Sequence, residues 1–287
     1  MGPEGLRIAG LKNAIENLDR VVEDLGDVAG PANPLTGPVD GLKHADEVIA
    51  WNIAVRDKVA RAFEDGYLPI MLGGDHCLAM GSIAAASEHC KKTGKKLFVL
   101  WLDAHADFNT DQTSPSGNIH GMPVALSCGI GHDTLKKITP AGPSLPANQV
   151  VQIGIRSVDE DERVLLEDSG ATVFDMRKID EIGMRAAMEQ TFEIIKGENA
   201  HLHVSFDADF LDPSIAPGVG TPVPGGPNYR EAQLCMEMIF DSGLMGSLDI
   251  VEVNPALGNK NKTAEVAVEL VESLFGKQIL HRKKSRV

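Results

Sequence analysis

Cysteine is sparse in this chain and carries no pattern. Cys77, Cys90, Cys128 and Cys235 form neither a C-x-x-C pair nor a zinc-ribbon spacing, which excludes a cysteine-ligated ribbon and a disulfide scaffold. Free thiols in a reducing compartment are expected. Long apolar runs are missing too, so no segment reads as a membrane span. The first residues show no basic stretch followed by an apolar one, and Leu6 stands where N-myristoylation wants Ser or Thr. A cytoplasmic location is the resulting expectation. Positive charge is in short supply: 27 Lys and Arg against 41 Asp and Glu give a formal charge of −14. That argues against nucleic acid or an anionic membrane as a partner. The basic run at 281–286 reads as a solvated chain end rather than a nucleic-acid tail. Aromatics are few, at 5%, while glycines number 29, a balance that suits an enzyme with many tight strand-to-helix turns.

What the chain has instead is alternation. Its length allows one large α/β domain or two small ones, and a hydrophobic content of 43% supports a real core. Strands are expected over 68–72, 97–102, 150–155, 171–174, 201–206 and 247–253, with a further candidate at 21–25. Helices are expected over 46–64, 78–92, 159–167, 181–196, 230–241 and 263–275. The first of these carries Val48, Trp51, Val55, Val59 and Phe63 close to a helical period. No internal repeat interrupts the series. The alternation predicts a parallel sheet covered by helices on both faces. Loops are expected over 26–41, 110–123, 139–148 and 213–228, and several Gly and Pro clusters fall just after strands, where α/β enzymes place their sites.

The chemistry is concentrated at three strand ends. Asp103-Ala104-His105-Ala106-Asp107 follows the strand at 97–102, and Asp207-Ala208-Asp209 follows the strand at 201–206. Carboxylates two residues apart on extended chain point the same way, so these groups converge. Gly73-Gly74-Asp75-His76 turns sharply after 68–72 and brings His76 to the same edge. No Gly-Lys-Ser or Gly-Lys-Thr follows, which discounts a phosphate loop. Four carboxylates this close repel one another unless a cation sits among them, and buried unpaired charge is costly. The number of candidate ligands suggests two ions. Oxygen-rich ligation with two imidazoles suits Mn²⁺, with Co²⁺, Ni²⁺ or Fe²⁺ as alternatives. Structural zinc would draw on thiolates, and calcium would not select histidine.

Gly-Gly-Asp-His, Asp-Ala-His-Ala-Asp and Ser-Phe-Asp-Ala-Asp, in this order and spacing, resemble the three metal motifs of the ureohydrolases. That superfamily contains arginases, agmatinases, formimidoylglutamases and guanidino-acid hydrolases, and the resemblance runs from about residue 2 to residue 275. It implies a three-layer α/β/α sandwich on an eight-stranded parallel sheet, with two manganese ions at the strand ends. By the same resemblance Asp103 and Asp207 bridge both ions, His76 and Asp107 complete one shell, and His105 and Asp209 the other. Within the superfamily the substrate loops resemble those of arginases. Ser116-Gly117-Asn118-Ile119-His120-Gly121 is similar to the loop with a substrate-side serine and a mobile histidine. Asn109 stands where arginases hold the α-carboxylate, and Asp159 closes a segment that holds the α-amino group. Thr221 and Glu252 fall in two further matching segments, Glu252 as the two-point partner of the guanidinium.

The implied reaction is hydrolysis of L-arginine to L-ornithine and urea by a metal-bridging hydroxide. Asp107 would relay the proton to the leaving amine and His120 would exchange protons with solvent. The alternatives are an agmatinase or other guanidino-acid hydrolase, or a non-catalytic metal-binding homologue. A two-metal phosphoesterase is disfavoured because no Lys or Arg clusters around the motifs. Singly, the substrate residues have plainer readings: Asn109 and Ser116 as loop stabilisers, Asp159 as a helix N-cap, Glu252 as a solvated edge. His203 reads as structural. The resemblance also implies a trimer or hexamer. Two departures stand out. Cys77 replaces the usual serine after His76, which either alters hydrogen bonding around the site or makes it oxidation-sensitive. The chain, read as one domain over 1–287, shows no strand before Gly2-Pro3-Glu4, so seven strands rather than eight are expected, with an internal edge exposed.

Overall fold

The computed structural model describes residues 1–32, 37–195 and 199–280. Among them six parallel strands form one sheet: β1 (Ile70–Leu72), β2 (Lys96–Leu102), β3 (Val150–Ile155), β4 (Thr172–Asp175), β5 (Ala200–Asp207) and β6 (Met245–Val251), in the order β1-β6-β5-β2-β3-β4. The helices are α1 (Gly2–Ile8), α2 (Leu11–Glu16), α3 (Ala45–Glu64), α4 (Ala79–Thr93), α5 (Pro123–Ser127), α6 (Glu160–Ser169), α7 (Met176–Ile182), α8 (Met184–Ile194), α9 (Tyr229–Ser242) and α10 (Lys262–Leu274). None is long and apolar enough to cross a membrane.

The period of two along β2 builds the three layers. Phe98, Leu100 and Leu102 pack with residues of α1, α2, α8, α9 and α10 on one face. Leu97, Val99 and Trp101 point the other way, into a core shared with α3, α4, α5 and α6. Strands buried on both faces read as nearly continuous apolar runs, and β2 and β3 do so apart from Lys96 at the exposed start of β2 and Gln152 within β3.

The architecture is the expected α/β/α sandwich, with three local differences. The described sheet has six strands, one fewer than the smaller number expected. The candidate at 21–25 forms none of them. Val21 is 94% exposed, and Asp24 and Asp27 are drawn onto Arg7 of α1 at 2.8 and 2.7 Å. The outer edge of β1 consequently faces an apolar groove lined by Leu11, Ile15, Val22, Leu68, Ile70 and Phe275. The helix expected over 181–196 is two helices, because Gly183 takes φ 82°, a left-handed conformation that ends α7 before α8 begins; residue 196 lies outside the described residues, as do 33–36 of the expected loop and the basic run from 281. The short helices α1, α2 and α5 were not expected at all.

The topology locates the functional edge. From β2 the chain moves outward to β3 and β4, then returns to place β5 on the other side of β2. That reversal makes the crevice beyond the carboxyl ends of β2 and β5 a natural ligand site. The register pairs Leu102 with Phe206, so the residues that follow, Asp103 and Asp207, lie side by side. Gly154 at the end of β3 has φ 97°, and a Cβ there would stand 2.5 Å from the Phe210 ring and 3.0 Å from the Asp103 carbonyl. Only glycine lets β3 approach the acidic turn this closely.

Candidate metal centre and substrate cavity

The expected ligands come together. His76, Asp103 and Asp107 form one group of donors, and Asp103, His105 and Asp209 a second, each with its donor atoms within 4.8 Å of one another. Asp103 belongs to both groups, as a bridging ligand must. His76 Nδ1 stands 2.9 Å from Asp103 Oδ2, 2.9 Å from Asp207 Oδ2 and 3.5 Å from Asp107 Oδ2. His105 Nδ1 stands 3.1 Å from Asp209 Oδ2 and 3.4 Å from Asp103 Oδ1. Asp207 lies outside both groups but touches each, with Oδ2 on His76 and Oδ1 accepting the Asp209 amide at 2.7 Å. The far side of His76 is fixed: Nε2 meets the Ser205 hydroxyl at 2.8 Å, and the ring stacks on Trp101 at 3.9 Å with 4° between planes. A histidine oriented from behind in this way presents its other nitrogen to a metal.

Two observations fit a cation here. His76 Nδ1 and Asp103 Oδ2 are both buried and neither makes a hydrogen bond, although they are 2.9 Å apart; such orphans are rare unless something else takes their lone pairs. The charges also need one. Burial, then neighbouring carboxylates, push Asp107 and Asp207 well above the ordinary carboxylate range, and Asp209 upward as well. Burial opposes charge on the imidazoles, yet Asp103 lifts His76 to about 9, and Asp103 with Asp209 lifts His105 to about 12. Without metal, protons occupy the place that divalent cations would fill. Oxygen-rich ligation with imidazole is the donor set of Mn²⁺ and its neighbours.

All the expected substrate residues face the same cavity, which is lined by Asn109, Ser116, His120, Asp159, Thr221 and Glu252 together with every candidate ligand except the deeper Asp103. Asn109 Nδ2 donates to Asp159 Oδ2 at 2.9 Å, joining the two groups read as the amino-acid clasp. Thr221 Oγ1 donates to Asp209 Oδ2 at 3.1 Å. Ser116 is exposed at the rim, its hydroxyl accepting the Asn118 amide at 3.2 Å. Glu252 is not a solvated edge: its backbone takes φ 59°, its amide bonds Gly74 O at 2.8 Å, and its Oε1 accepts the His76 amide at 2.8 Å. Burial, then Asp75, raises its carboxyl to about 7. His120 lies 3.6 Å from Asp75, which raises its pKa against the effect of burial.

This constellation has relatives. The profile of the arginase family matches residues 1–276. The chain belongs to the arginase family. It is 45% identical over 280 residues to an arginase from Bacillus subtilis, covering 98% of this chain and 93% of that protein. An arginase from Brucella melitensis is 46% identical over 285 residues, with 98% and 92% covered. The structure of an arginase from Bacillus caldovelox superposes with a TM-score of 0.93 at 42% identity, covering 98% of this chain and 93% of that one. The protein is therefore a metal-dependent hydrolase of the arginase type.

Within this arginase fold several residues matter that motif reading passed over. Glu162 accepts the Phe108 amide at 2.8 Å and the Asp159 amide at 3.0 Å, so it ties α6 to the turn carrying Asp107. Its signal was present: Asp159-x-x-Glu162 is a capping box, and the structure forms it. Asp159 is thus both N-cap and cavity residue. Ser205 opens the Ser-Phe-Asp-Ala-Asp motif, but its part in orienting His76, through the 2.8 Å contact with Nε2, shows only in the fold. Cys77 is buried, and burial followed by Asp75 raises its thiol well above the ordinary value. A buried, protonated thiol is a poor target for oxidation, which leaves altered local hydrogen bonding as the effect of the serine replacement. His203 is structural as expected, held by Ser247 at 2.9 Å and Asp249 at 2.9 Å beneath the site.

Proposed function

We propose that this chain hydrolyses L-arginine to L-ornithine and urea at a pair of divalent cations, Mn²⁺ foremost, with Co²⁺, Ni²⁺ or Fe²⁺ as substitutes. The carrying observation is the shared cavity: the two donor groups, Glu252 and the Asn109–Asp159 pair all open onto it. His76 and Asp107 would hold one ion, His105 and Asp209 the other, with Asp103 and Asp207 between them. When bound, the cations supply Lewis acidity that brings the pKa of water toward neutrality.

The protein's own groups supply the rest. Glu252, clamped by the His76 amide and its own left-handed backbone, offers two oxygens to a planar guanidinium. The substrate's positive charge keeps that carboxyl ionised despite its burial. Asp107 takes a proton from the attacking water and delivers it to the leaving amine, a transfer that a carboxylate lining the cavity is placed to make. His120, with a third of its side chain exposed, passes protons between cavity and solvent. Asn109, Ser116 and Asp159 orient the amino-acid end, and Thr221, bonded to Asp209 at 3.1 Å, lines the cavity beside the ligands. Agmatine lacks the α-carboxylate, so a dedicated anchor for that group favours arginine. The proposal extends to a cytoplasmic homo-oligomer, a trimer or hexamer, a reading supported by the family resemblance and by four cysteines that all stand free.

A substrate comparison tests the reading. With added Mn²⁺, urea release from arginine is expected to exceed that from agmatine. Asn109→Ala is expected to raise KM for arginine about 10- to 100-fold, the effect of losing one to three kcal/mol of polar contact, with the residual agmatine rate unchanged. Faster turnover of agmatine, indifferent to Asn109, would shift the assignment to agmatinase.

A further inference from the structure

Arg156 follows β3 and lies behind the acidic cluster, outside the cavity that the substrate residues line. Its guanidinium spends every donor on backbone carbonyls. Nη1 donates to Gly154 O and Phe210 O at 3.1 Å each. Nη2 donates to Asp209 O and Val223 O at 2.8 Å each and to Leu211 O at 3.3 Å. Nε donates to Val223 O at 3.1 Å. None of these acceptors is a carboxylate, so the charge is balanced only by carbonyl dipoles and by the acids beyond them. Asp209, Asp103, Asp212 and Asp207 are the groups that stabilise it against burial.

The acceptors belong to two segments. Asp209, Phe210 and Leu211 continue the turn that carries two expected ligands. Val223 lies in the loop of 213–228, two residues after Thr221, whose hydroxyl reaches back to Asp209 Oδ2 at 3.1 Å. Asp212 reinforces the join by accepting the Gly225 and Gly226 amides at 2.8 and 3.3 Å. The fit around the guanidinium is close: a Cβ at Gly226 would stand 2.5 Å from Arg156 Nη2 and 2.8 Å from its Cζ.

We propose that Arg156 is a positioning residue: it pins the Asp207–Leu211 turn to the Thr221 loop and so holds Asp209 in place for the ion beside His105. The proposal rests on reading the site as a two-cation centre. It concerns how tightly the ion on the His105–Asp209 side is held, not which guanidine is cleaved. A planar fork bonding several carbonyls at once cannot be replaced by lysine, which keeps the charge and loses the geometry.

The test is Mn²⁺ titration of chelator-stripped protein by calorimetry and electron paramagnetic resonance, on wild type, Arg156→Lys and Gly226→Ala, each checked for folding by circular dichroism. Gly226→Ala keeps the arginine but crowds both its guanidinium and the Asp212 amide, 2.8 Å from the added Cβ, so it loosens the same join between the two segments and keeps the test alive if Arg156→Lys fails to fold. Wild type is expected to bind two Mn²⁺. Both variants are expected to keep one near wild-type affinity and bind the other at least tenfold more weakly, with KM for arginine raised and kcat largely recovered at saturating Mn²⁺. Two wild-type binding steps in a folded variant, with KM unchanged, would overturn the positioning role alone. Failure of wild type to bind two ions would overturn the two-cation reading itself, and this proposal with it.

Discussion

Asp107→Asn is expected to lower urea release about a thousandfold, within the range that a positioned general acid–base contributes, while the protein still takes up metal. The backbone explains why the two effects separate. Asp107 takes φ 49°, a left-handed conformation that asparagine tolerates at least as well as aspartate. The turn is held independently of the side chain, by Val124 N on Asp107 O at 3.0 Å and by Phe108 N on Glu162 at 2.8 Å. Asparagine therefore keeps the place and still offers an oxygen to a cation, yet carries no proton between water and amine. Single-turnover urea release paired with metal content by atomic emission checks this. Equal loss of metal and activity would reduce Asp107 to a ligand.

The second large effect is the coupling of metal to stability and pH. Each ion bound at a thousand times its Kd adds about 4 kcal/mol. Two ions, at about 2 °C per kcal/mol for a chain of this size, raise Tm by about 15 °C. The sign with pH follows from the direction of the shifts. In metal-free protein Asp107, Asp207, Asp209 and Glu252 all have raised pKa values. A carboxyl raised in the folded state stabilises it fully below its unfolded pKa, about 4, and loses that contribution as pH climbs through the folded value, which for Glu252 is about 7. His76 and His105, raised to about 9 and about 12, act in the same sense but only at higher pH. Asp103, lowered, acts oppositely and mostly below pH 4. Metal-free protein is therefore expected to lose stability from pH 4.5 to 7.5, while cation-loaded protein does not. Calorimetric scans with and without chelator should show the gap in Tm widening over that range; a constant gap would mean the carboxyls do not meet the metal.

What could be read from sequence is where buried strands end. Asp103, His105 and Asp107, and Asp207 with Asp209, follow buried strands, and the strand ends brought them to one edge; extended alternation does not run through both segments, since Asp107 takes φ 49° and Asp209 sits in the tight turn Ala208–Phe210. The helices at 46–64 and 230–241 were legible because each buries one stripe. The break at Gly183 was not, since a glycine inside an apolar period can be tolerated or can stop a helix, and only packing decides. Arg156 stands in the segment that Asp159 closes, but its role was not legible because its partners are main-chain carbonyls, which every residue carries. The segment at 21–25 has strand-like residues but no paired strand, because Asp24 is engaged by an arginine far from it in sequence.

The account depends on two cations sharing one set of ligands, and anomalous diffraction from a crystal grown with Mn²⁺ tests that most directly. Two peaks about 3.5–4 Å apart are expected, one between His76 and Asp107, the other between His105 and Asp209, with Asp103 and Asp207 reaching both. A single peak, or none among these six side chains, would contradict it.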